Sequence, residues 1–592
     1  MILQALVEYY EALERKEKIT SPGWCRARVA YGLDISEQGE LMGVIPLKKE
    51  QQNGKKTVWV PQDLTVPQMV SRSSGVSANF LCDHSGYMLG IDNKGKPERS
   101  RECFEYAKKK HKDILGNISS PASRAVCRFF DCWTPDRAAE NPYLMPELEE
   151  IISGSNLVFM IDGEYVHEDP DIRQCWEEYS RQSGTGPEGV CLVTGRREEI
   201  ARIHGTIKGV QGAQSSGAAL VSFNAPAFES YGKEQSFNAP VGTYAAYAYT
   251  TALNYLLSDR SHGTTIGDTA VVYWSEEGDE RYQNIFACVS EPTMENQEIV
   301  DGVFKNLAEG KAVVAQDVKD SLDMEKRFYI LGLAPNAARL AVRFFYQDSF
   351  GNILKHIKEH YDRMEIVRPA ADAVEYLGIW RMLQETVNKK SRDKKPVPSM
   401  SGAVYRSIIS GSRYPASLSS EVHKILREEL EFSGVSRIYK ITRGRAAIIK
   451  AYLLKNGNIR EEITMALNED SNNTAYILGR EFAVLEAIQE EANPGLNATI
   501  KDKYFNSACA TPAAIFPILF KLKNSHIKKM NNGAKETYYE KMLCDLQGRL
   551  TVAEGQRAAC PRRLTLKEQG MFILGYYHQT QKRYEKKIKE EA

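Results

Sequence analysis

The spacing of apolar residues predicts strands in the first part of the chain. An opening amphipathic helix is indicated by apolar residues at helical spacing: Ile2, Leu3, Leu6, Tyr10 and Leu13. Apolar runs between turn residues predict strands in ARVAYGLDI, LMGVIPL and TVWVPQ, and buried strands over 155–162 and 189–195. Further on, 243–259 predicts a helix, and strands are predicted over 267–276, 327–336 and 338–348.

Beyond about residue 350 the pattern is almost entirely helical. Helical periodicity covers these ranges: 351–364, 370–390, 402–411, 419–432, 443–456, 474–492, 512–524, 535–547 and 564–588. Two breaks interrupt it, the charged, proline-containing stretch 389–402 and the Asn- and Gly-rich stretch 454–473. We therefore predict an α+β protein in three parts. These are a mixed α/β N-terminal domain (1–350), a helical connecting region (351–464) and a C-terminal helical bundle (465–592).

Charge is distributed unevenly along the chain. The whole chain has a formal net charge of zero, yet residues 521–592 carry 16 Lys and Arg against 8 Asp and Glu. This asymmetry indicates either a surface for nucleic acid or another acidic partner, or a solvated basic helix face. The candidate contacts to a DNA strand are Lys521, Lys523, Lys528, Lys529, Arg562 and Arg563.

Cysteine usage and hydropathy indicate the cellular compartment in which the protein is expected. The 11 cysteines are an odd number, and no pair has CxxC spacing. This pattern is typical of the reducing cytoplasm and argues against a disulfide framework or a zinc ribbon. No apolar run reaches the roughly 20 residues that a membrane span needs. We expect a soluble cytoplasmic protein without a membrane partner.

A long Gly-rich segment begins at Gly205. It reads GTIKGVQGAQSSGAALVSFNAPAFESYGKEQSFNAPVG and contains the pentapeptide SFNAP twice. Flexible backbone, neutral hydrogen-bonding side chains and an occasional Lys suit contact with a polyanion or another chain, and a Gly-rich connector is the alternative. The candidate contacts are Lys208, Gln211, Gln214, Asn224, Lys233 and Asn238.

A second polar loop precedes an apolar segment at residues 71–92. Arg72, Ser73 and Ser74 offer a cation and two hydroxyls for phosphate, and Asn79 offers an amide able to read a base edge. The alternative is a turn in which Ser and Asn cap the backbone. Composition alone leaves both interpretations open, and these four residues are candidate contacts to nucleic acid.

One motif suggests an enzyme. His356-Ile-Lys-Glu359-His360 fits the H-x-x-E-H pattern, which on a helix places two histidines on one face, as two zinc ligands require. No downstream acid can be identified as the third zinc ligand. The surrounding sequence ILKHIKEHYDRME has the pattern of an ordinary charged amphipathic helix. We therefore expect no catalytic residues, no metal and no cofactor, and keep a zinc-dependent hydrolase as the alternative function.

Several blocks of the sequence together resemble the large subunit of the type I-C CRISPR Cascade complex. They are SRSSGVSANFLCDHSGYMLG, the Gly-rich block, RFYILGLAPNAARLAVRFFYQDSFGNILKHI, PSMSGAVYRSIISGSRYPASL, and YILGREFAVLEAIQEEAN with ATPAAIFPILFKLKNSHIKK. The resemblance runs nearly from end to end.

The resemblance implies a non-catalytic role in antiviral defence. The large subunit recognises the protospacer-adjacent motif (PAM) in double-stranded DNA and starts R-loop formation, while the guide reads the sequence by base pairing. The implied partners are CRISPR RNA, target DNA, the backbone Cascade subunits including the one that binds the RNA 5′ handle, and the helicase–nuclease. A small subunit made by internal translation is also implied, and Met465-Ala466-Leu467-Asn468 resembles its start.

The implied role gives an expected contact for each group of candidate residues. Asn79 is expected to contact PAM bases, with Arg72, Ser73 and Ser74 on adjacent phosphate. The six Gly-rich candidates are expected near the PAM duplex, the RNA handle or a neighbouring subunit. A pure assembly scaffold without DNA contact is a further alternative. The PAM sequence and the subunit stoichiometry stay open.

Overall fold

Two compact units make up the fold. Unit 1 consists of Met1–Gly205 and Val221–Ala252, and unit 2 of Thr206–Leu220 and Leu253–Ala592. The functional division into 1–350, 351–464 and 465–592 stays a prediction. The computed structural model describes residues 1–53, 56–70, 75–182, 186–311, 313, 321–389, 391–392, 394–428, 440–457, 463–496, 498–550 and 560–591.

Unit 1 combines small sheets with helices. Its strands are β1 (Trp24–Val29), β2 (Tyr31–Ile35), β3 (Leu41–Pro46), β4 (Lys48–Asn53), β5 (Lys56–Pro67), β6 (Cys82–His84), β7 (Asn156–Ile161), β8 (Glu164–Tyr165), β9 (Glu188–Val190) and β10 (Arg197–Glu199). Its helices are α1 (Ile2–Arg15), α2 (Ser85–Met88), α3 (Pro97–Leu115), α4 (Pro121–Cys132), α5 (Leu148–Ile152), α6 (Pro170–Gln182) and the first part of α7 (Thr243–Ser258).

The sheets of unit 1 are mostly antiparallel. One has the order β1-β5-β4, and another has the order β3-β2-β7-β6 with β8 paired to β7. Within the second sheet β2 and β7 run parallel. An aromatic core fills the unit beneath α3 and α4, where Phe104, Phe129, Phe130 and Phe159 are all buried.

Unit 2 places one antiparallel sheet before a long series of helices. The strands β11 (Gly263–Ile266), β12 (Thr269–Ser275), β13 (Arg327–Asn336) and β14 (Arg339–Ser349) follow chain order in the sheet. The helices are α8 (Glu280–Ser290), α9 (Gln297–Ala308), α10 (Phe350–Met364), α11 (Ile379–Gln384), α12 (Pro398–Ile409), α13 (Ala416–Glu428), α14 (Arg443–Asn456), α15 (Thr474–Ala492), α16 (Ile500–Ala510), α17 (Pro512–Met530), α18 (Gly533–Gly548) and α19 (Leu566–Glu591).

Two glycines let α15 and α19 approach closely in unit 2. A Cβ at Gly479 would overlap the backbone carbonyl oxygen of Phe572, and a Cβ at Gly575 would overlap that of Tyr476. The two helices are therefore in backbone contact, and only glycine fits at either position. One continuous apolar cluster joins this helix pair to the sheet of the same unit.

The structure confirms the α+β class and corrects three local predictions. The first helix and the strands of the opening segment are present as predicted. The predicted strand over 189–195 is wrong, since β9 ends at Val190 and a tight turn follows. The predicted helix over 370–390 is confined to α11, and α16 was not predicted.

Two general expectations can be set against the described residues. Within those ranges no helix combines the length and the apolar character that crossing a bilayer requires. All eleven cysteines are free thiols, so the structure contains no disulfide among them.

Candidate nucleic-acid interface

Asn79 closes the polar loop of unit 1 at its base. The Val70 N–H donates to Asn79 Oδ1 at 2.9 Å, and the Asn79 N–H donates to Asp83 Oδ2 at 2.8 Å. The Asn79 side chain is only 4% exposed. Its burial and its bond to Val70 indicate a residue that holds the two ends of the loop together, and they do not favour direct reading of a base by its amide oxygen. Arg72, Ser73 and Ser74 lie outside the described residues.

Two cations of α3 fasten the described end of this loop. An Arg99 guanidinium nitrogen donates to the Gly75 carbonyl at 2.7 Å, and Lys110 Nζ donates to the Ala78 carbonyl at 2.8 Å. Neither residue was predicted from the sequence, although the basic run Lys108-Lys109-Lys110 is a visible signal. Two cationic side chains therefore border the described end of the loop, and Arg99 is at the same time paired with Glu102 Oε2 at 3.1 Å.

A buried histidine supports the loop from beneath. The Leu81 N–H donates to His111 Nε2 at 2.9 Å, while His111 Nδ1 lies 2.7 Å from the Ala107 carbonyl oxygen. Nδ1 thus carries the proton and the ring is neutral. Burial lowers the pKa of His111 to about 4. Leu81 has a φ of +53°, which is strained for a Leu and indicates that the surrounding bonds hold the backbone there.

The first half of the Gly-rich segment belongs to unit 2. Its candidates Lys208, Gln211 and Gln214 are all exposed. The Lys208 N–H donates to Asn254 Oδ1 at 2.8 Å, and a bridge between Ile207 and Ala218 closes the turn that carries the two glutamines. The three side chains therefore occupy one short surface loop.

The second half of the segment belongs to unit 1, and its asparagines differ. Asn224 and Lys233 are exposed, whereas Asn238 is part-buried. Asn238 accepts the Ser230 N–H at 2.8 Å and donates to the carbonyls of Lys233 and Gln235 at 2.7 and 2.8 Å. Asn238 thus shapes a turn instead of offering its amide to a ligand. At the tip of that turn Tyr231 is fully exposed.

Helix α17 presents an exposed face without acids. The helix contains no Asp or Glu. Its exposed positions recur every three or four residues: Ala514, Pro517, Ile518, Lys521, Asn524, Ser525, Lys528 and Lys529. The face is apolar in its first half and basic in its second. Lysines near a helix C-terminus also complement the helix dipole, so their position alone does not identify a ligand.

The six predicted C-terminal cations do not form a single patch. Arg562 and Arg563 follow Pro561, whose carbonyl accepts the Ala513 N–H at the start of α17. Lys528 lies fifteen residues beyond Ala513 along that helix, a distance of about 22 Å. Lys523 is engaged, because its Nζ lies 2.7 Å from Glu540 Oε1. The basic face is therefore defined by the exposed Lys521, Lys528 and Lys529, of which Lys529 also donates to Asn493 Oδ1 and keeps its charge.

The H-x-x-E-H residues of α10 have separate structural partners. His356 Nδ1 lies 3.0 Å from the Ile409 carbonyl oxygen, and His360 Nδ1 lies 2.7 Å from the Tyr414 hydroxyl. Glu359 lies 3.5 Å from an Arg363 guanidinium nitrogen. Burial lowers the pKa of His360 to about 3. Across the described residues no three His, Cys, Asp or Glu side chains are placed to hold a metal, so no third ligand supports the hydrolase alternative there.

A cleft of about 1010 Å³ in unit 2 has a polar floor. There Glu486 Oε1 accepts the Thr499 hydroxyl at 2.5 Å, and Glu486 Oε2 accepts the Tyr576 hydroxyl at 2.5 Å. Lys501 Nζ donates to the same tyrosine oxygen at 3.0 Å. These groups satisfy one another, as buried polar groups in a stable core usually do. The floor therefore serves as a structural network.

The basic face of α17 and the loop bordered by cations in unit 1 are two candidate surfaces for an anionic ligand. The sequence matches the family described as CRISPR-associated protein (Cas_Csd1) over residues 6–584. This chain belongs to that family and is a CRISPR-associated protein of the Cascade type. Comparison with curated proteins finds no match.

Proposed function

We propose that the chain is the non-catalytic large subunit of a type I-C Cascade complex. In this role it recognises the PAM in double-stranded DNA, promotes R-loop formation and helps recruit the helicase–nuclease. Membership of the Cas_Csd1 family over residues 6–584 supports the assignment to a CRISPR complex. The observation that carries PAM recognition is the loop that Asn79 closes and that Arg99 and Lys110 fasten.

The held ends of this loop, Val70 and Gly75–Asn79, suit the reading of a short motif. Base-edge recognition needs donors and acceptors held in a defined geometry, because each good contact discriminates by only about 1–3 kcal/mol. In the proposal Arg72, Ser73 and Ser74 contact the DNA, and Asn79 positions them. This changes the role expected of Asn79 from reading a base to holding the loop that reads it.

The basic face of α17 has a different task in the proposal. Lys521, Lys528 and Lys529 hold a DNA strand by charge, without sequence preference. The whole set α15–α19 follows Met465, which is 48% exposed. An internal start at Met465 would therefore supply all five helices as the small subunit.

The test is binding of the reconstituted RNA-containing complex to a library of targets with randomised flanks. The wild-type complex should enrich a short motif at one flank. The variant R72A/S73A/S74A should lose that enrichment and keep its unspecific affinity, whereas K521A/K528A/K529A should keep the motif and lose affinity for all targets. A wild-type complex that enriches no flanking motif would refute PAM recognition, and normal binding by both variants would favour the scaffold.

A further inference from the structure

A second cavity of unit 2, of about 330 Å³, lies where helix α12 packs on strand β14. Its polar lining consists of three arginines and three serines: Arg343, Arg406, Arg413, Ser399, Ser407 and Ser412. Among the described residues that line it there is no Asp or Glu and no aromatic ring. The cavity is therefore a concave surface rich in N–H and O–H donors, with a volume at the lower end of the range for small-ligand pockets.

Helix α12 provides one wall of this cavity. Four of its lining positions recur at helical spacing and so share one face: Ser399, Gly402, Ala403 and Arg406. The two small residues leave room between the serine and the arginine. The helix has no acid in its first turn, and within the described residues no side chain caps its N-terminus. The unbonded N–H groups of that turn therefore add positive potential at one end of the wall.

The loop that follows α12 provides another wall and is fixed at both ends. His356 Nδ1 lies 3.0 Å from the carbonyl oxygen of the last residue of α12. The Tyr414 N–H donates to Asn456 Oδ1 at 3.2 Å, and the Asn456 amide donates to the Tyr414 carbonyl at 2.8 Å. The other histidine of the H-x-x-E-H motif contacts the Tyr414 hydroxyl. The motif therefore positions the loop that carries Ser412 and Arg413, so that little freedom is lost when a ligand binds.

Two of the three arginines are not neutralised within the protein. Arg406 and Arg413 are exposed, and within the described ranges neither has an acidic side chain at ion-pair distance. Arg343 is paired, because a guanidinium nitrogen lies 3.1 Å from Asp268 Oδ2. Three guanidiniums and one carboxylate leave a net charge of +2 at the cavity. A concave surface lined by charge of one sign raises the local concentration of the opposite ion, so this cavity attracts anions.

The donor set selects phosphate among the anions. The guanidinium fork of arginine donates two parallel hydrogen bonds to phosphate or to carboxylate. A phosphate monoester carries about −1.5 to −2 at pH 7, and two adjacent backbone phosphates carry about −2, whereas a carboxylate carries one charge. Phosphate therefore matches the net charge of the cavity better. Without an aromatic ring in the described lining, the cavity has no surface on which a base stacks.

We propose that this cavity binds a phosphate group, held by Arg406 and Arg413 with the serine hydroxyls of the lining around it. The group belongs either to the backbone of a nucleic-acid strand or to a free phosphate compound, and the experiment distinguishes these two sources. The inference goes beyond the proposed function. It adds a site in unit 2 that includes neither the loop at Asn79 nor the basic face of α17, and it requires neither guide RNA nor a PAM.

The experiment is arginine footprinting of the full chain with phenylglyoxal, followed by mass spectrometry. Inorganic phosphate and a single-stranded oligonucleotide are each compared with sodium chloride at equal ionic strength. Phosphate should slow the modification of Arg406 and Arg413 and leave that of Arg137 unchanged. Arg137 is the matched control, because it is exposed in unit 1 and has no acidic partner within the described residues.

The two ligands separate the two sources of the phosphate group. Protection by the oligonucleotide at a lower concentration of phosphate groups than inorganic phosphate requires would assign the backbone of a strand. Protection by inorganic phosphate at the same or a lower concentration would assign a free phosphate compound. Protection of Arg406 and Arg413 that is no greater with either ligand than with chloride would overturn the inference.

Substitutions complete the test. R406A should weaken the protection of Arg413 by phosphate at least about tenfold, since a hydrogen bond to a charged group is lost. R406K keeps the charge without the fork and should recover only part of the affinity. H356A should also weaken phosphate binding, and H356N should restore it, because an amide N–H can still donate to the Ile409 carbonyl. Unchanged phosphate affinity in R406A would overturn the inference.

Failure of this inference and failure of the proposed function are distinguishable. The footprint contains neither guide RNA nor a PAM, so a negative result leaves PAM recognition standing. A complex that enriches no flanking motif, while its large chain still protects Arg406 and Arg413 in phosphate, would refute the proposed function alone.

Discussion

The loop at Asn79 and the exposed face of α17 present charge in different ways. The loop is held by side chains that bond to its backbone: Asn79 to Val70, Arg99 to Gly75 and Lys110 to Ala78. On α17 the helix itself fixes the backbone, and exposed lysines extend from one face. The first arrangement fixes the described ends of the loop and suits a contact that must discriminate. The second fixes only the position of charge and suits a contact that must tolerate any sequence.

The two units also differ in how their buried groups titrate. In unit 1, burial lowers the pKa of His111, His167 and His204 to about 4. In unit 2 burial likewise lowers the pKa of four histidines, to about 3 for His360 and about 4 for His578, and below the ordinary value for His423 and His526. Buried carboxyls of the same unit shift in the opposite direction. Burial raises the pKa of Glu291 to about 7 and that of Glu481 to about 8. Acid should therefore affect the two units unequally.

The largest expected effect is the loss of stability of unit 1 in acid. A histidine that is neutral when folded takes up a proton on unfolding once the pH falls below about 6.5, so its contribution is present above that pH and lost as the pH falls toward 4. At pH 5.5 three such histidines cost about 4 kcal/mol relative to pH 7.5. Hydrogen exchange should show the amides of β7 losing protection between these values.

Unit 2 supplies the comparison for that measurement. As the pH falls, a carboxyl with a raised pKa takes up its proton in the folded state at a higher pH than in the unfolded chain. Glu291 and Glu481 therefore add to the free energy of unfolding of unit 2 as the pH falls through 8 and 7 toward 4.5. Amides of α15 should therefore lose less protection than those of β7. Equal loss in both units would contradict the assigned titrations.

The next largest effect is expected at the contact between α15 and α19. G479A places a methyl group against the carbonyl of Phe572, which is backbone and cannot swing away, so the helices must separate. The free energy of unfolding of unit 2 should fall by about 3 kcal/mol. Denaturant titration followed by hydrogen exchange on α15 measures it.

Gly533 is the matched control for this substitution. It lies at the start of α18, and nothing lies within 4 Å of the position of its Cβ. G533A should leave stability unchanged or raise it by a few tenths of a kcal/mol, up to about 1. A similar loss in both variants would mean that glycine flexibility, and not the close helix contact, explains the first result.

A smaller effect is expected when the loop of unit 1 is released. N79A removes the acceptor of the Val70 N–H and should cost about 1–2 kcal/mol of local stability. Amides around Val70 should exchange faster, and binding to PAM-bearing targets should fall more than binding to other DNA. R72A should weaken binding to PAM-bearing targets, as N79A does, without changing exchange at Val70. If N79A lowers PAM binding while exchange at Val70 is unchanged, Asn79 contacts the DNA directly.

The sequence predicted most elements and failed where tertiary contacts decide. Helical periodicity predicted a helix over 370–390 because it carries no information about Arg443. The Arg443 guanidinium donates to Asp372 Oδ2 at 2.9 Å and to the carbonyls of Val374 and Glu375. These two carbonyls therefore bond to a distant side chain and not within a helix. The start of α16, by contrast, carried a readable signal. Thr499 and Asp502 form a capping box at its N-terminus.

Tertiary contacts also explain two other differences from prediction, one at the predicted strand 189–195 and one at Asn79. β-Branched residues in GVCLVTG favoured a strand, but Cys191 Sγ accepts the N–H groups of Val193 and Thr194 at 3.4 Å and a turn forms. Asn79 was predicted to contact bases, yet its side chain is buried and accepts the Val70 N–H, which composition does not reveal. The sequence shows that a polar side chain is present at each position, but it does not show which neighbour that side chain bonds to.

The smallest expected effect separates charge from geometry on α17. Each lysine of the basic face that contacts DNA should lower the slope of log affinity against log salt by about 0.7–0.9 when replaced by Ala. K521A, K528A and K529A should therefore weaken PAM-bearing and PAM-less targets alike, most visibly at low salt. K523A is the matched control on the same helix, because Glu540 already neutralises its ammonium. If K523A changes the salt slope as much as K528A, DNA binding follows the net charge of the helix. The three exposed lysines would then not form a distinct binding face on α17.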